Sequence, residues 1–370
     1  YQSPSPPPLL YLFTSYSTLI DTMRAVVFKG VGKVAVEDRP KPELIHPDDA
    51  ILKVKVSALC GSDLHWYRGH LTIPTGFIPG HEFIGVVEQK GSQVGTVDIG
   101  DVVVASFSTQ CGKCFYCLKK QTSRCSKSFL FGNSVGTTSI DGGQAEYVRV
   151  PQADSTLVKA PPQIPEHLLV LMGDIFPTGY FCATRFLKHM SKEEAKSSVI
   201  AVVGCGPVGI CAIATALTMS DTVYALDLVP ERLAEAEKLG AKPLLLTEDP
   251  IATVKKATEG RGADIALEVV GTADALQWCL DMVRPFGQVS SVGLQTQTLS
   301  LDGPALYGKN VTIAWGRCPV RGIFEDALSC LVEVQDMVSF LCEYTVSLED
   351  AVQAYEMFSQ RKVQKVLLKP

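Results

Sequence analysis

No stretch of this 370-residue chain is apolar for long enough to cross a bilayer, which takes about 20 consecutive residues. There is no basic excess either: the net charge is −5, whereas a nucleic-acid reader clusters lysine and arginine on one face. Neither a membrane nor a nucleic acid is therefore expected as partner. Internal repeats are missing as well. Residues 1–22 hold no lysine or arginine, only a Ser/Pro run from Ser3 to Pro8 and a short apolar patch from Leu9 to Phe13. A secretory signal needs a basic start and a longer apolar run, and a mitochondrial presequence needs arginines. Residues 1–22 are read as a loose extension, with the folded part opening at Met23.

What is present suits a globular fold. Hydrophobic residues make up 46% and charged residues 20%, an ordinary balance, and the length suffices for two domains. Twelve cysteines fall into two groups. Five lie between Cys60 and Cys125. Seven are scattered singly from Cys182 to Cys342, several inside apolar runs (Cys205, Cys211, Cys279), as buried free thiols would be. That distribution excludes a disulfide framework and implies a reducing compartment, here the cytoplasm.

From Met23 to about Val150 the signals are mainly strands: Arg24 to Phe28, Leu52 to Val56, Ile84 to Glu88, Asp101 to Ser106 and Glu146 to Val150, punctuated by glycine. This predicts a compact antiparallel β domain. From Ser198 strand and helix alternate with short connections. Strands are expected at Ser198–Val203, Thr222–Asp227, Leu244–Leu246, Ala263–Val269 and Gln288–Val292. Helices are expected at Pro207–Met219, Pro230–Leu239, after Pro250, and at Thr272–Val283. The pattern is that of a parallel doubly wound sheet, giving an α/β chain. Past Trp315 come two more helical stretches, one over Leu348–Phe358, and a last strand over Lys362–Leu368.

Gly204-Cys205-Gly206-Pro207-Val208-Gly209 follows an apolar strand and opens a helix. Glycines there serve the tight turn, the close approach of a pyrophosphate and helix-on-strand packing, and the helix N-terminus faces the phosphates. Asp227 ends the next strand 23 residues after Gly204, where an acid accepts from ribose hydroxyls. A carboxylate repels a 2′-phosphate, so NAD is expected and not NADP.

Cys111, Cys114, Cys117 and Cys125 are separated by two, two and seven residues. Four thiolates so spaced close a tetrahedron around Zn²⁺ and leave no open position, which is structural zinc. A second, open site has candidates in Cys60-Gly61-Ser62-Asp63-Leu64-His65, in Gly80-His81-Glu82 and in Gly173-Asp174. A catalytic zinc takes three protein ligands and keeps one corner free. Cys60, His81 and Asp174 supply a thiolate, an imidazole and a carboxylate, a set that leaves the zinc site neutral. His46, His70, His167 and His189 read as surface or packing residues, and Cys182, Cys205 and Cys211 as small core residues. Trp66 and Phe77 flank the metal motifs and suit either a pocket wall or packing.

Taken in order, these motifs make the chain from Met23 to Pro370 resemble a zinc-dependent medium-chain alcohol dehydrogenase. The resemblance implies a GroES-like catalytic domain over 23–175 with a zinc lobe at about 108–127. It further implies a Rossmann NAD-binding domain over 176–315 and a segment over 316–370 that completes the catalytic domain, with the active site in the cleft. It places Cys60, His81 and Asp174 on catalytic zinc, with Glu82 behind or transiently on the metal and Asp63 bracing His81. Ser62 and His65 would relay the proton outward, and Thr178 would touch the nicotinamide. Partners would be an alcohol or aldehyde and further copies of the chain, as a dimer or tetramer joined near Val311–Ala314.

Three positions depart from the family pattern. Asp174 stands where many relatives have a second cysteine, a harder ligand that leaves zinc more Lewis-acidic. Gly61 replaces an Arg or His that contacts the coenzyme pyrophosphate. Lys120 stands where glycine is usual, at a cost of about 1 kcal/mol should the backbone there need positive φ. The alternatives within the superfamily are polyol or amino-alcohol oxidation and formaldehyde dehydrogenation. Outside it stand a zinc-ribbon binding module and a catalytically dead structural homologue.

Overall fold

The computed structural model describes residues 21–132 and 139–370. The expected loose extension lies outside the described residues except for Asp21 and Thr22, and Thr22 already opens the first strand.

Two large sheets organise the chain. The first has seven strands. Ala50–Leu59 lies at its centre and pairs antiparallel with Glu82–Lys90, with Tyr147–Val150 and with the C-terminal strand Val366–Lys369. Val102–Ala105 and Leu157–Lys159 extend one side, and Thr345–Ser347 closes the other. Residues at the very end of the chain thus complete a sheet begun at residue 50. Thr22–Gly30 forms a separate ribbon with Lys33–Pro40.

The second sheet is parallel throughout, in the order Lys242–Leu245, Thr222–Asp227, Val199–Val203, Ala263–Glu268, Val283–Ser291, Thr312–Trp315. In chain sequence that order is 3-2-1-4-5-6, the doubly wound arrangement whose crevice opens where the order reverses, beside Val199–Val203. The helix Pro207–Leu217 has Gly206 as N-cap and proline at its first position, where the missing N–H costs nothing. Its residues Gly209–Ala216 are all buried, because it is packed on both sides. The sheet lies beneath it, and the helices Ile175–Leu187 and Phe324–Val338 lie above.

The helix Ile175–Leu187 was not visible in the sequence. Pro177 and Gly179 argue against a helix, yet the proline sits in the first turn, where it is tolerated. Gly179 is there for closeness: a Cβ on it would stand 2.6 Å from Ala212 N. The helix ties the two sheets together, starting at the first and packing on the nucleotide helix of the second. Elsewhere the final strand begins at Val366, four residues later than expected. The preceding turn uses Arg361 at φ 61°, and Lys365 turns inward and is 2% exposed.

Candidate metal centre and coenzyme site

Cys60, His81, Glu82 and Asp174 come from three places in the fold. Cys60 follows the central strand, His81 and Glu82 open its antiparallel neighbour, and Asp174 caps the bridging helix. One ligand atom from each lies within 4.8 Å of all the others. Asp174 Oδ2 stands 3.4 Å from His81 Nε2 and 3.8 Å from Cys60 Sγ. Zinc bonds of about 2.0–2.3 Å give tetrahedral edges of about 3.3–3.7 Å, so the set fits zinc.

Its charge fits as well. Among the described residues, Lys365 is the one lysine or arginine paired with the carboxylates of this cluster. Burial, and then the charge of Glu82, push the Cys60 thiol upward. Burial opposes a charged His81, yet Asp63 and Cys60 raise it well above the ordinary imidazole value. Glu82 Oε1 is buried with no hydrogen-bond partner among the described residues. A divalent cation relieves each of these at once.

Around the ligands lies a set of braces. Asp63 Oδ1 is 3.5 Å from His81 Nδ1, and its Oδ2 accepts from Cys60 N at 3.0 Å. Thr178 Oγ1 donates to Asp174 Oδ1 at 2.8 Å, leaving Oδ2 to face the other ligands. Ser62 Oγ is 3.2 Å from His81 Nε2, on the metal side of the ring. His65 Nδ1 is buried without a partner among the described residues, and Ser62 and His65 are joined through the main chain, His65 N donating to Ser62 O.

The second candidate metal site is also assembled. The sulfurs of Cys111, Cys114, Cys117 and Cys125 all lie within 4.8 Å of one another. Cys125 Sγ accepts from Cys111 N at 3.3 Å and Lys127 N at 3.4 Å. N–H groups of Cys117 and Ser126 draw the Cys114 thiol down to about 6. Lys120 does adopt φ 58°, so the lysine bears the strain reckoned above. Its carbonyl occupies the space beside Gly322, where a Cβ would stand 2.0 Å away.

At the parallel sheet, Gly204 adopts φ 104°, and a Cβ on Gly209 would stand 1.9 Å from Gly204 O. Gly206, in contrast, is uncrowded: a Cβ there would meet only Arg232 Nη1, at 3.9 Å, which leaves room where phosphate approaches a turn. Asp227 ends its strand as expected. It accepts from Cys205 N at 2.7 Å and from Val229 N at 3.0 Å. Pro207 and Val208 form the first turn of the helix.

Residues 46–162 match the alcohol dehydrogenase GroES-like domain family, and residues 207–333 match the zinc-binding dehydrogenase family. A zinc-type alcohol dehydrogenase B of Aspergillus flavus is 46% identical over 351 residues, covering 94% of this chain and 81% of that protein. The chain belongs to the zinc-dependent medium-chain alcohol dehydrogenase family. A probable zinc-binding alcohol dehydrogenase of Mycobacterium tuberculosis is 34% identical, covering 90% of this chain and 84% of its own length. Among solved structures, an alcohol dehydrogenase from a Thermus species superposes with TM-score 0.87 at 34% identity, over 94% of this chain and 99% of that one.

In this dehydrogenase three buried residues that sequence reasoning missed support the metal cluster. Lys365 Nζ donates to Glu82 Oε2 at 2.5 Å and to Leu59 O at 3.1 Å. Tyr355 donates to Gln144 Oε1 at 2.7 Å, and Gln144 Nε2 donates to Asp63 Oδ2 at 3.4 Å. The chain Tyr355–Gln144–Asp63 thus ends on the residue that faces His81. Outer partners of this kind typically account for 10–100-fold in metal affinity. Gln144→Leu is expected to weaken zinc retention by about tenfold in a chelator competition, with the lobe zinc unaffected. Trp66 and Phe77 pack on Phe28 at ring separations of 4.6 and 5.5 Å. The four other histidines are all exposed, and Cys182, Cys205 and Cys211 are fully buried.

Proposed function

We propose that the chain is an NAD-dependent alcohol dehydrogenase with two zinc ions, one structural and one catalytic, acting reversibly on a small alcohol or aldehyde. The observation that carries this reading is the convergence of Cys60, His81, Glu82 and Asp174 within 4.8 Å. Cys60, His81 and Asp174 would hold the catalytic metal, with Glu82 behind them and the four-cysteine lobe holding the other. Bound in these sites, zinc supplies the Lewis acidity that makes a substrate hydroxyl acidic, as it brings water toward a pKa of about 7, and the dinucleotide supplies the hydride acceptor.

The protein's own groups do the rest. Asp63 favours a proton on His81 Nδ1, so that Nε2 presents its lone pair. Ser62 Oγ accepts the substrate's hydroxyl proton, and His65 passes it outward. Thr178 fixes Asp174 from the first turn of the bridging helix and stands where the nicotinamide would lie. Asp227 takes the ribose hydroxyls, and its charge favours NAD over NADP. The edge strand Thr312–Trp315 suits pairing between subunits, as a homodimer or homotetramer, and the twelve unpaired cysteines fit the cytoplasm.

The test is NAD⁺ reduction across primary, secondary, aromatic and polyhydric alcohols and formaldehyde hydrate, with zinc counted on the same sample. Two zincs per chain and turnover of at least one alcohol are expected. A folded protein with one zinc and no turnover would overturn the reading in favour of a dead homologue. A preference for polyols would instead select the alternative within the family. One relative is a sorbitol dehydrogenase from Bacillus subtilis, 31% identical over 80% of this chain and 82% of its own length.

A further inference from the structure

Arg317 is a cation without an acceptor, placed where the two halves of the molecule face each other. It follows the carboxyl end of the edge strand Thr312–Trp315, after a turn made by Gly316 at φ 141°. Gly316 N donates at 3.1 Å to the carbonyl of Ser291, the last residue of the neighbouring strand. Ligands of doubly wound sheets lie outside these carboxyl ends. From there Arg317 touches the catalytic half at two points. Its carbonyl accepts from Ser123 Oγ in the cysteine lobe at 3.1 Å. Its guanidinium carbon stands 5.8 Å from the centre of the Phe107 ring.

Phe107 links this arginine to the metal cluster. Its N–H donates at 2.8 Å to the carbonyl of Gly173, the residue before Asp174. Its side chain is 5% exposed and belongs to the same apolar cluster as Cys60 and Ile84. An arginine within about 6 Å of an aromatic ring is attracted by the ring face. The segment that follows is tied down too, with Gly322 N donating to Thr122 Oγ1 at 3.2 Å. The guanidinium is thus oriented before any ligand arrives. Yet among the described residues no carboxylate lies within ion-pair distance of Arg317, and no acceptor takes its side-chain N–H groups. A planar fork of five donors matches a carboxylate or a phosphate. The thiolate and carboxylate of Cys60 and Asp174 balance a divalent metal, so the metal centre would not itself repel an anion.

We propose that Arg317 anchors an anionic group of the substrate, so that the alcohol this protein oxidises carries a carboxylate or a phosphate ester besides its hydroxyl. The proposal rests on the alcohol dehydrogenase reading above and names the substrate class of that same site. The hydroxyl meets the cluster of Cys60, His81 and Asp174, and the anion meets Arg317 beside the Phe107 ring. Oxidation breaks the C–H and O–H bonds of the carbinol. The hydride goes to NAD⁺, the proton goes to Ser62, and the hydroxy acid or hydroxyalkyl phosphate leaves as its carbonyl counterpart. Arg317 exchanges no proton in that step and acts by holding the substrate.

The test uses the zinc-loaded full chain with NAD⁺ and matched pairs of substrates: lactate and β-hydroxybutyrate against their amides, and glycerol phosphate against glycerol. The wild type is expected to favour at least one anionic member over its neutral twin by about 10–100-fold in kcat/KM, the worth of charge-assisted hydrogen bonds. Arg317→Gln should bring that preference close to one, mainly through KM, and Arg317→Lys should restore part of it. Butyrate, which has no hydroxyl to oxidise, should compete with the substrate in the wild type and lose about the same factor in Arg317→Gln. A residue that only ties the two halves together would move acid and amide alike and leave their ratio as it was. Preference for the phosphate assigns the anion as a phosphate ester, and preference for a hydroxy acid assigns it as a carboxylate. Oxidation of neutral alcohols without preference for either anion overturns the anchor and leaves the dehydrogenase reading standing. So does a preference that survives in folded Arg317→Gln. A wild type that carries two zincs and oxidises no member of any pair, nor any other alcohol, overturns the dehydrogenase reading and the anchor with it.

Discussion

Cys60→Ser is expected to release one zinc per chain and to lower alcohol-dependent NADH formation by at least about 10³-fold, while NADH still binds. The magnitude follows from losing a Lewis acid worth several kcal/mol of transition-state charge stabilisation. Serine keeps the main-chain N–H that Asp63 accepts and roughly the same volume. A serine hydroxyl stays protonated where a thiolate does not, so the metal loses a bond and a balancing charge together. The glycine turn lies on the other sheet and is untouched, which is why coenzyme binding should survive. Metal analysis gives one zinc per chain if the lobe is independent. Near-normal turnover with two zincs retained would show that Cys60 is not a ligand and that the metal chemistry lies elsewhere.

What the sequence revealed and what it hid divide along a physical line. The glycine turn, the cysteine lobe and the segment from Cys60 to His65 were legible because each completes its chemistry within a few residues. Lys120 was legible for the same reason: the spacing of the lobe fixes its place, and the structure gives it the left-handed backbone that was priced beforehand. Lys365 was not. In the segment Lys362–Leu368 a lysine, here Lys365 after Lys362, reads as a solvated strand residue. Only the pairings of Val366 with Leu59 and of Ala58 with Glu82 bring it to a buried carboxylate. Gln144 and Tyr355 lie 211 residues apart, and neither carries a local pattern that announces the other.

Lys365→Met is expected to destabilise the protein by about 3–5 kcal/mol, the cost of stranding a buried charge. It should lower the melting temperature by several degrees, read by calorimetry on the zinc-loaded enzyme. Glu82 is 0% exposed, one of its oxygens already lacks a partner, and the other depends on Lys365. Burial opposes the ammonium, but Glu82 and then Cys60 keep its pKa raised, while burial pushes the Glu82 carboxyl upward against the pull of Lys365. Methionine fills the channel left by the lysine stem and removes the charge alone. The double variant Glu82→Gln with Lys365→Met should regain most of the loss, because no stranded anion remains and the two positions are coupled by contact. If the double variant is as unstable as the single one, the lysine matters for packing along its stem and not for charge. Should Lys365→Met instead be silent, Glu82 must find its cation elsewhere, and the catalytic metal is the one candidate within reach. Stability would then fall on chelation in the variant by more than in the wild type, which tests directly whether Glu82 ever moves onto the metal.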